Sequence, residues 1–256
     1  MAYVMLGRCE DLSDVYINLV QTSKTEKPIE LIAKKITCPP DALQEAKRLE
    51  EMSLSWKIHD KCHLSIVSLN IRSLAKHLPD IKSDFKLMQK DLLCFQETWV
   101  FEKDEANYNL DGHNSLFASH GKGKGLASFC KMEMQRPQKI MENSFQLLKM
   151  VVKDVTVISA YLSQDAELDQ VMENLTNLVT KRTVIIGDMN FKAGSSNVMT
   201  EQLKAWNYSQ LVEYPTQEKG NTIDHVYVSQ DLTDVVDCDL HYVYYSDHQA
   251  VVLTVL

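Results

Sequence analysis

From Leu64 onward the chain is a succession of short apolar runs separated by polar turns. Ten of these runs have the length and β-branched content of strands: 64–69, 92–95, 115–119, 125–130, 145–152, 155–161, 183–186, 222–228, 238–245 and 249–255. FQLLKMVV and VTVISAYL, joined by Lys153 and Asp154 alone, read as a hairpin. Helical stretches are expected at 78–89, 166–180 and 200–205. In the second of these, Leu168, Val171, Met172, Leu175 and Leu178 recur at the spacing of one buried stripe. Many strands and few helices predict an α/β (α+β) chain built as a four-layer αββα sandwich. Two mainly antiparallel sheets pack face to face, and helices cover their outer sides.

Residues 1–61 are different material. A β-like start (Tyr3 to Leu6) and a second apolar run (Asp14 to Val20) are followed by the Pro39-Pro40 pair. DALQEAKRLEEM then has helix-forming composition, with Asp41 at the N-cap position. This part is too small to hold a core, so the expected organisation is a stub and linker at 1–61 and one domain at 62–256.

Composition adds limits. The 256 residues are 45% hydrophobic and 24% charged, which excludes a disordered or collagen-like chain. Six cysteines lie scattered with no C-x-x-C pair, the pattern of buried thiols in a reducing compartment. His59, Cys62 and His63 form the one local metal-like cluster, but no second ligand pair follows to complete a zinc site. No apolar run approaches the roughly 18 residues of a bilayer span, and Arg8, Cys9 and Glu10 stand where a signal peptide would be apolar. The expected setting is therefore intracellular, without a membrane. Net charge is −8, and 62–256, with 18 basic and 25 acidic residues, carries −7 of it. Such a balance argues against tight, non-specific coating of nucleic acid.

Polar residues of catalytic type recur where strands end: Asn70 after LSIVSL, Glu97 after DLLCFQ, Tyr161 after VISA, Asp188 and Asn190 in IIGDMN, Asp224 in NTIDHVYV, and Asp247 with His248 in YYSDHQ. Each alone has an ordinary reading as a strand end, a solvated acid, a half-buried aromatic or a turn former. Together, four carboxylates at the strand ends of one sheet system call for a cation, and hard oxygen donors suit Mg²⁺ or Mn²⁺. A cation, a carboxylate to take a proton from water and donors around a phosphoryl group are the ingredients of metal-assisted phosphoester hydrolysis.

The ordered set SLNIRSL, FQETW, AY, GDMN, TIDH and SDH resembles the exonuclease-endonuclease-phosphatase (DNase I-like) family over residues 62–256. NIRSLAKHLPDIKSD and QLVEYPTQEKGNTIDHVYV are similar to endonuclease domains of LINE-type retrotransposons and Helitron-type transposons. The resemblance implies a DNA-nicking endonuclease of transposon origin in which Asn70, Glu97 and Asp247 hold the metal. It further implies that Asp188 activates water, that Asn190 positions it, and that Tyr161 contacts the phosphate or leaving group. His248, held by Asp224, would donate to a phosphate oxygen. Arg72, Lys76, Lys122, Lys124 and Lys192 would then form a small DNA-contacting rim around a monomeric, nuclear enzyme. A phosphatase, an RNA 3′-end nuclease and a non-catalytic transposon remnant are the competing readings.

Two departures from the family pattern bear on substrate geometry: no Pro follows Tyr161 in AYLSQDAEL, and SDHQA lacks the Pro often found beyond SDH. Within residues 1–20, AYVMLGRCEDLSDVYI resembles the last motif of a Helitron-type helicase, with Arg8 as its phosphate-reaching arginine. The chain has no G-x-x-x-x-G-K-[ST] loop, so no ATP binding is expected.

Overall fold

The computed structural model describes residues 64–256. The helicase-like segment with Arg8, the helix expected after Pro40, the His59–Cys62–His63 cluster and the 1–61 stub lie outside the described residues. Among the described residues, twelve strands form two six-stranded sheets. The first has the order β11-β12-β1-β2-β4-β3, with β1 Leu64–Asn70, β2 Leu92–Gln96, β3 Asn114–Ala118, β4 Leu126–Cys130, β11 Val236–His241 and β12 Ala250–Val255. The second runs β5-β6-β7-β8-β10-β9, from β5 Gln135–Met141, β6 Phe145–Val152, β7 Val155–Leu162, β8 Thr183–Asp188, β9 Tyr208–Gln210 and β10 Asp224–Ser229. Pairing is antiparallel except β1 with β2 and β7 with β8. The expected α/β sandwich is the architecture observed.

Side-chain alternation along the central strands divides the interior into three layers. Leu64 and Ile66 of β1, Val155 and Val157 of β7, Val184 and Ile186 of β8 and Val226 and Val228 of β10 share the largest apolar cluster. Val67 and Leu69 of β1 point the other way, joining Leu93, Phe95 and Phe129 in a second cluster with α1 (Leu74–Ser83) and α2 (Phe85–Met88). Ile158, Ile185 and Tyr227 form a third with Val171, Met172 and Leu175 of α3 (Leu168–Leu178) and with Met199 and Leu203 of α4 (Val198–Ala205). The helical stripe expected around Leu175 is thus buried, as its period required.

The differences from expectation have local causes. The helix expected at 78–89 begins earlier and breaks at Asp84, whose side chain accepts from Leu87 N–H and restarts the chain as α2. The strand expected at 238–245 ends at His241, where pairing with Ala250 stops. Strand β5 (QRPQKIM) lies outside the expected strands, being an exposed edge with Pro137 inside and an irregular register. β9 is three residues long. Cys94, Cys130 and Cys238 are free thiols, and no described helix is long and apolar enough to cross a membrane.

Candidate active site

The same alternation that packs the interior delivers the polar residues. Along β1 the face carrying Leu64 and Ile66 continues to Ser68 and Asn70; along β7 it passes Val157 and Ser159 to Tyr161; along β8 it ends at Asp188 and along β10 it starts at Asp224. β1 and β2 run parallel, as do β7 and β8, so their carboxyl ends coincide, and the antiparallel register sets Asp224 directly against Asp188. A polar layer separates core from site: Gln96 Nε2 donates to Ser68 Oγ at 3.1 Å and to Ser159 Oγ at 3.4 Å, joining the two sheets.

Above that layer, Asn70 Nδ2 donates to Glu97 Oε1 at 2.9 Å and to Asp188 Oδ2 at 2.8 Å. Asn70 Oδ1 accepts from Arg72 N–H at 3.2 Å. The other Asp188 oxygen accepts from Asn190 N–H at 2.9 Å, and Asn190 Nδ2 is spent on the Leu162 carbonyl at 2.8 Å. Glu97 and Asn190 both adopt positive φ, 49° and 53°. Such backbone, uncommon for residues other than glycine, concentrates at functional positions. His248 Nδ1 lies 2.8 Å from Asp224 Oδ2 and 3.1 Å from Oδ1, with both side chains only 2% exposed.

Two residues absent from the expected site hold this pair. Thr216, fully buried, receives Ile223 N–H at 3.2 Å and Asp224 N–H at 3.1 Å on its hydroxyl, while its carbonyl accepts Gln249 N–H at 2.7 Å. It therefore ties the strand of Asp224 to the segment of His248. Ser246 Oγ donates to the Asn70 carbonyl at 2.7 Å and accepts His248 N–H at 3.1 Å. Neither stands out in sequence, since a Thr after Pro and a Ser before Asp are ordinary loop residues until the loops close on each other.

Burial and charge set the protonation states. Burial and the Asp224 charge push the Asp188 carboxyl up to about 7, against the opposing pull of His248 and of the Asn70 and Asn190 hydrogen bonds. Burial alone would lower His248, but the hydrogen bond and charge of Asp224, with Asp188 and Asp247 nearby, raise it to about 9, so the ring is an imidazolium at neutral pH. Tyr161 is raised by burial and by Glu97 and Asp188, and remains a neutral phenol whose OH reaches the Gly123 carbonyl at 3.5 Å.

The donor set fits a hard dication. Two carboxylates, Glu97 and Asp188, converge on one amide. Asp247 Oδ1 is buried and accepts no hydrogen bond although Arg72 Nε is 3.1 Å away. Asp188, Asp224 and His248 also bring ligand atoms within 4.8 Å of one another. In that trio, however, His248 is cationic and its Nδ1 is committed to Asp224, so Glu97 and Asp247 are the better oxygen donors.

The site opens into a cleft of about 370 Å³ lined by Glu97, Asp188, Asn190 and His248, with Arg72, Lys192 and Lys219 as its cations. Arg72 and Lys192 belong to the expected rim, whereas Lys219 does not. Of the other rim residues, Lys76 is exposed in the first turn of α1, Lys122 is exposed on the 120–125 loop, and Lys124 Nζ donates to the Asn143 carbonyl.

Residues 67–248 match the model of the endonuclease/exonuclease/phosphatase family. The chain belongs to that family. Solved structures agree on the fold. A 3′ phosphatase, NExo, from Neisseria bound to a product DNA hairpin superposes with a TM-score of 0.64 at 18% identity, covering 75% of this chain and 99% of that one. An AP endonuclease from Archaeoglobus fulgidus gives 0.63 at 18% identity with the same coverages. The endonuclease domain of TRAS1, a telomere-specific non-LTR retrotransposon, gives 0.56 at 15%, covering 75% and 97%. A search of curated proteins finds no match.

Proposed function

We propose that residues 62–256 form a divalent-metal-dependent phosphodiester hydrolase that nicks DNA, and that it derives from a mobile element. The observation that carries this reading is the juxtaposition of a buried Asp224–His248 pair with Asp188, Asn70 and Glu97, of which Glu97, Asp188 and His248 line one cleft. Glu97 and Asp247, with Asn70 beside them, would hold Mg²⁺ or Mn²⁺, which when bound would supply charge stabilisation at a phosphoryl oxygen. Asp188, fixed by Asn70 and by Asn190 N–H, takes a proton from the attacking water. His248 turns its Nε2–H toward a phosphate oxygen and donates there, while Asp224 holds the ring charged and fixes its orientation. Tyr161, a neutral phenol, donates to the phosphate or leaving oxygen. Pre-set donors aimed at developing charge make electrostatic stabilisation the largest contribution. The wording of the motifs and the fold shared with a retrotransposon endonuclease support the origin.

Relaxation of supercoiled plasmid in Mg²⁺ or Mn²⁺ tests the reading. Nicked circles should accumulate with the wild-type chain and not with Asp188→Ala. No nicking under either ion, or undiminished nicking by the variant, would overturn it. A 3′-phosphorylated oligonucleotide and an inositol phosphate, assayed alongside, separate diester from monoester hydrolysis.

A further inference from the structure

Five aromatic side chains are exposed among the described residues: Phe85, Phe101, Tyr214, Tyr242 and Tyr244 at 54–74%. Four of them stand on the segments that feed the site. Phe101 follows Glu97 by four positions, Tyr214 precedes Thr216 by two, and Tyr242 and Tyr244 lie between the end of β11 and Asp247. Singly exposed apolar residues need no explanation, but this concentration on site loops does.

Two of these rings, Phe101 and Tyr244, are held at one edge while their surface stays in solvent, and the backbone beneath a third, Tyr214, is fixed. Phe101 rides against Gly121, where an added Cβ would lie 2.6 Å from its ring. The Tyr214 carbonyl accepts the Thr222 hydroxyl at 3.0 Å, fixing the backbone beneath a ring 70% exposed. Tyr244 donates its OH to Asp80 at 3.0 Å and meets Tyr245 edge-on at 5.1 Å. Arg72, Lys192 and Lys219 line the cleft, and so do Glu97, Gln217 and His248, each three or four positions along the chain from one of these rings, but the domain as a whole carries −7. A duplex offers phosphates and keeps its base faces stacked away, so it could use only the few cations. An unpaired strand offers phosphates to Arg72, Lys192 and Lys219 and free base faces to the rings, the combination that characterises single-strand sites.

We propose, resting on the nuclease reading above, that the substrate is engaged as an unpaired nucleic-acid stretch. Its phosphates run through the cleft past Lys192 and Lys219, and its bases stack on Phe101, Tyr214 and Tyr244. Fluorescence anisotropy with the full chain in EDTA, where cleavage is blocked, tests this with a labelled single strand of about 15 nucleotides and its duplex. The single strand should bind at least several-fold more tightly. Tyr214→Ala and Tyr244→Ala should each weaken it by about five-fold or more, the equivalent of one lost stack, and leave duplex binding unchanged. Tyr214→Phe should restore it, because it keeps the ring and loses only the hydroxyl. Phe101→Leu keeps an apolar group against Gly121 and should lose the stack. Lys219→Ala should weaken both ligands and flatten the salt dependence. Duplex binding as tight as single-strand binding, or wild-type affinity in the alanine variants, would overturn the proposal and leave the rings to contact another protein. Plasmid nicking that persists alongside such a result would spare the proposed function, whereas the expected binding pattern without nicking would sink that function alone.

Discussion

Asn70 ends a strand of one sheet and Asp188 ends a strand of the other, and the amide of the first donates to the carboxylate of the second at 2.8 Å. The same nitrogen reaches Glu97 at 2.9 Å, so one neutral donor holds two acids that would otherwise repel. Replacing it by Asn70→Asp puts a third carboxylate within about hydrogen-bonding distance of both. Like charges this close force protonation or separation. In EDTA the variant should lose about 2–3 kcal/mol of stability, the cost of an uncompensated buried charge. Mn²⁺ should return more of its Tm than it adds to the wild-type chain, because the added carboxylate is repaid only by a cation. Thermal melts with and without Mn²⁺ check this; an equal metal response in the two proteins would contradict it.

Thr216 controls the Asp224–His248 pair without touching substrate. Thr216→Val keeps the shape but strips the acceptor from the Ile223 and Asp224 N–H groups, leaving buried donors unsatisfied at about 1–3 kcal/mol each. Asp224 then shifts against His248. Nicking should fall by about 10²-fold, the scale of a misplaced acid–base partner, chiefly in kcat. Thr216→Ser retains the hydroxyl and should recover most of the loss, which steady-state kinetics on a nicking substrate will show.

What the sequence reveals depends on how self-contained each signal is. Strands β1, β2, β7 and β8 are legible because they are buried on both faces and therefore mostly apolar, and β1, β2 and β8 end abruptly in a polar residue. Site residues on those ends inherit that clarity: Asn70, Asp188 and Asp224 converge because parallel neighbours end together and the β8–β10 register sets two aspartates opposite each other. Thr216, Ser246 and Lys219 are illegible for the converse reason, since their roles arise from loop-to-loop hydrogen bonds or from which wall of the cleft a turn forms. The amide orientation of Asn70, nitrogen toward the carboxylates and oxygen toward Arg72 N–H, is likewise a property of the assembled site.

At Gly187, β8 lies against β7 with no room for a side chain. The glycine pairs with Ala160, and a Cβ built on it would stand 1.9 Å from the Ala160 carbonyl oxygen and within 2.9 Å of the Ala160 nitrogen, all rigid backbone. Gly187→Ala must therefore separate the strands directly beside Asp188. A loss of about 3 kcal/mol or more is expected, with nicking reduced even where the variant remains folded. Gly194→Ala is the control: its φ of 77° is also glycine-like, but nothing lies within 4 Å of the added methyl, so about 1 kcal/mol is expected. Urea denaturation of the two variants gives both values.

His225 makes the fold acid-sensitive from within the sheet. It is fully buried, its Nδ1 faces Tyr227 OH at 2.9 Å, and Phe191 meets its ring edge-on at 5.0 Å. Burial lowers its value from 6.5 to about 4, only partly opposed by the Thr222 carbonyl and the Asp224 charge. The unfolded chain thus takes up a proton between those two values that the native ring refuses. The native state holds its full advantage above pH 6.5 and loses it as pH falls toward 4. The loss amounts to roughly 3 kcal/mol, at about 1.4 kcal/mol per unit. His225→Phe removes the titrating group, keeps an aromatic ring against Phe191, and sacrifices the Tyr227 hydrogen bond. At pH 7 it should be about 1 kcal/mol less stable than wild type. At pH 4.5 the order should reverse, because only the wild-type chain has lost stability through this residue. Denaturation midpoints measured at the two pH values decide it, and parallel pH dependences would assign the acid sensitivity to other groups.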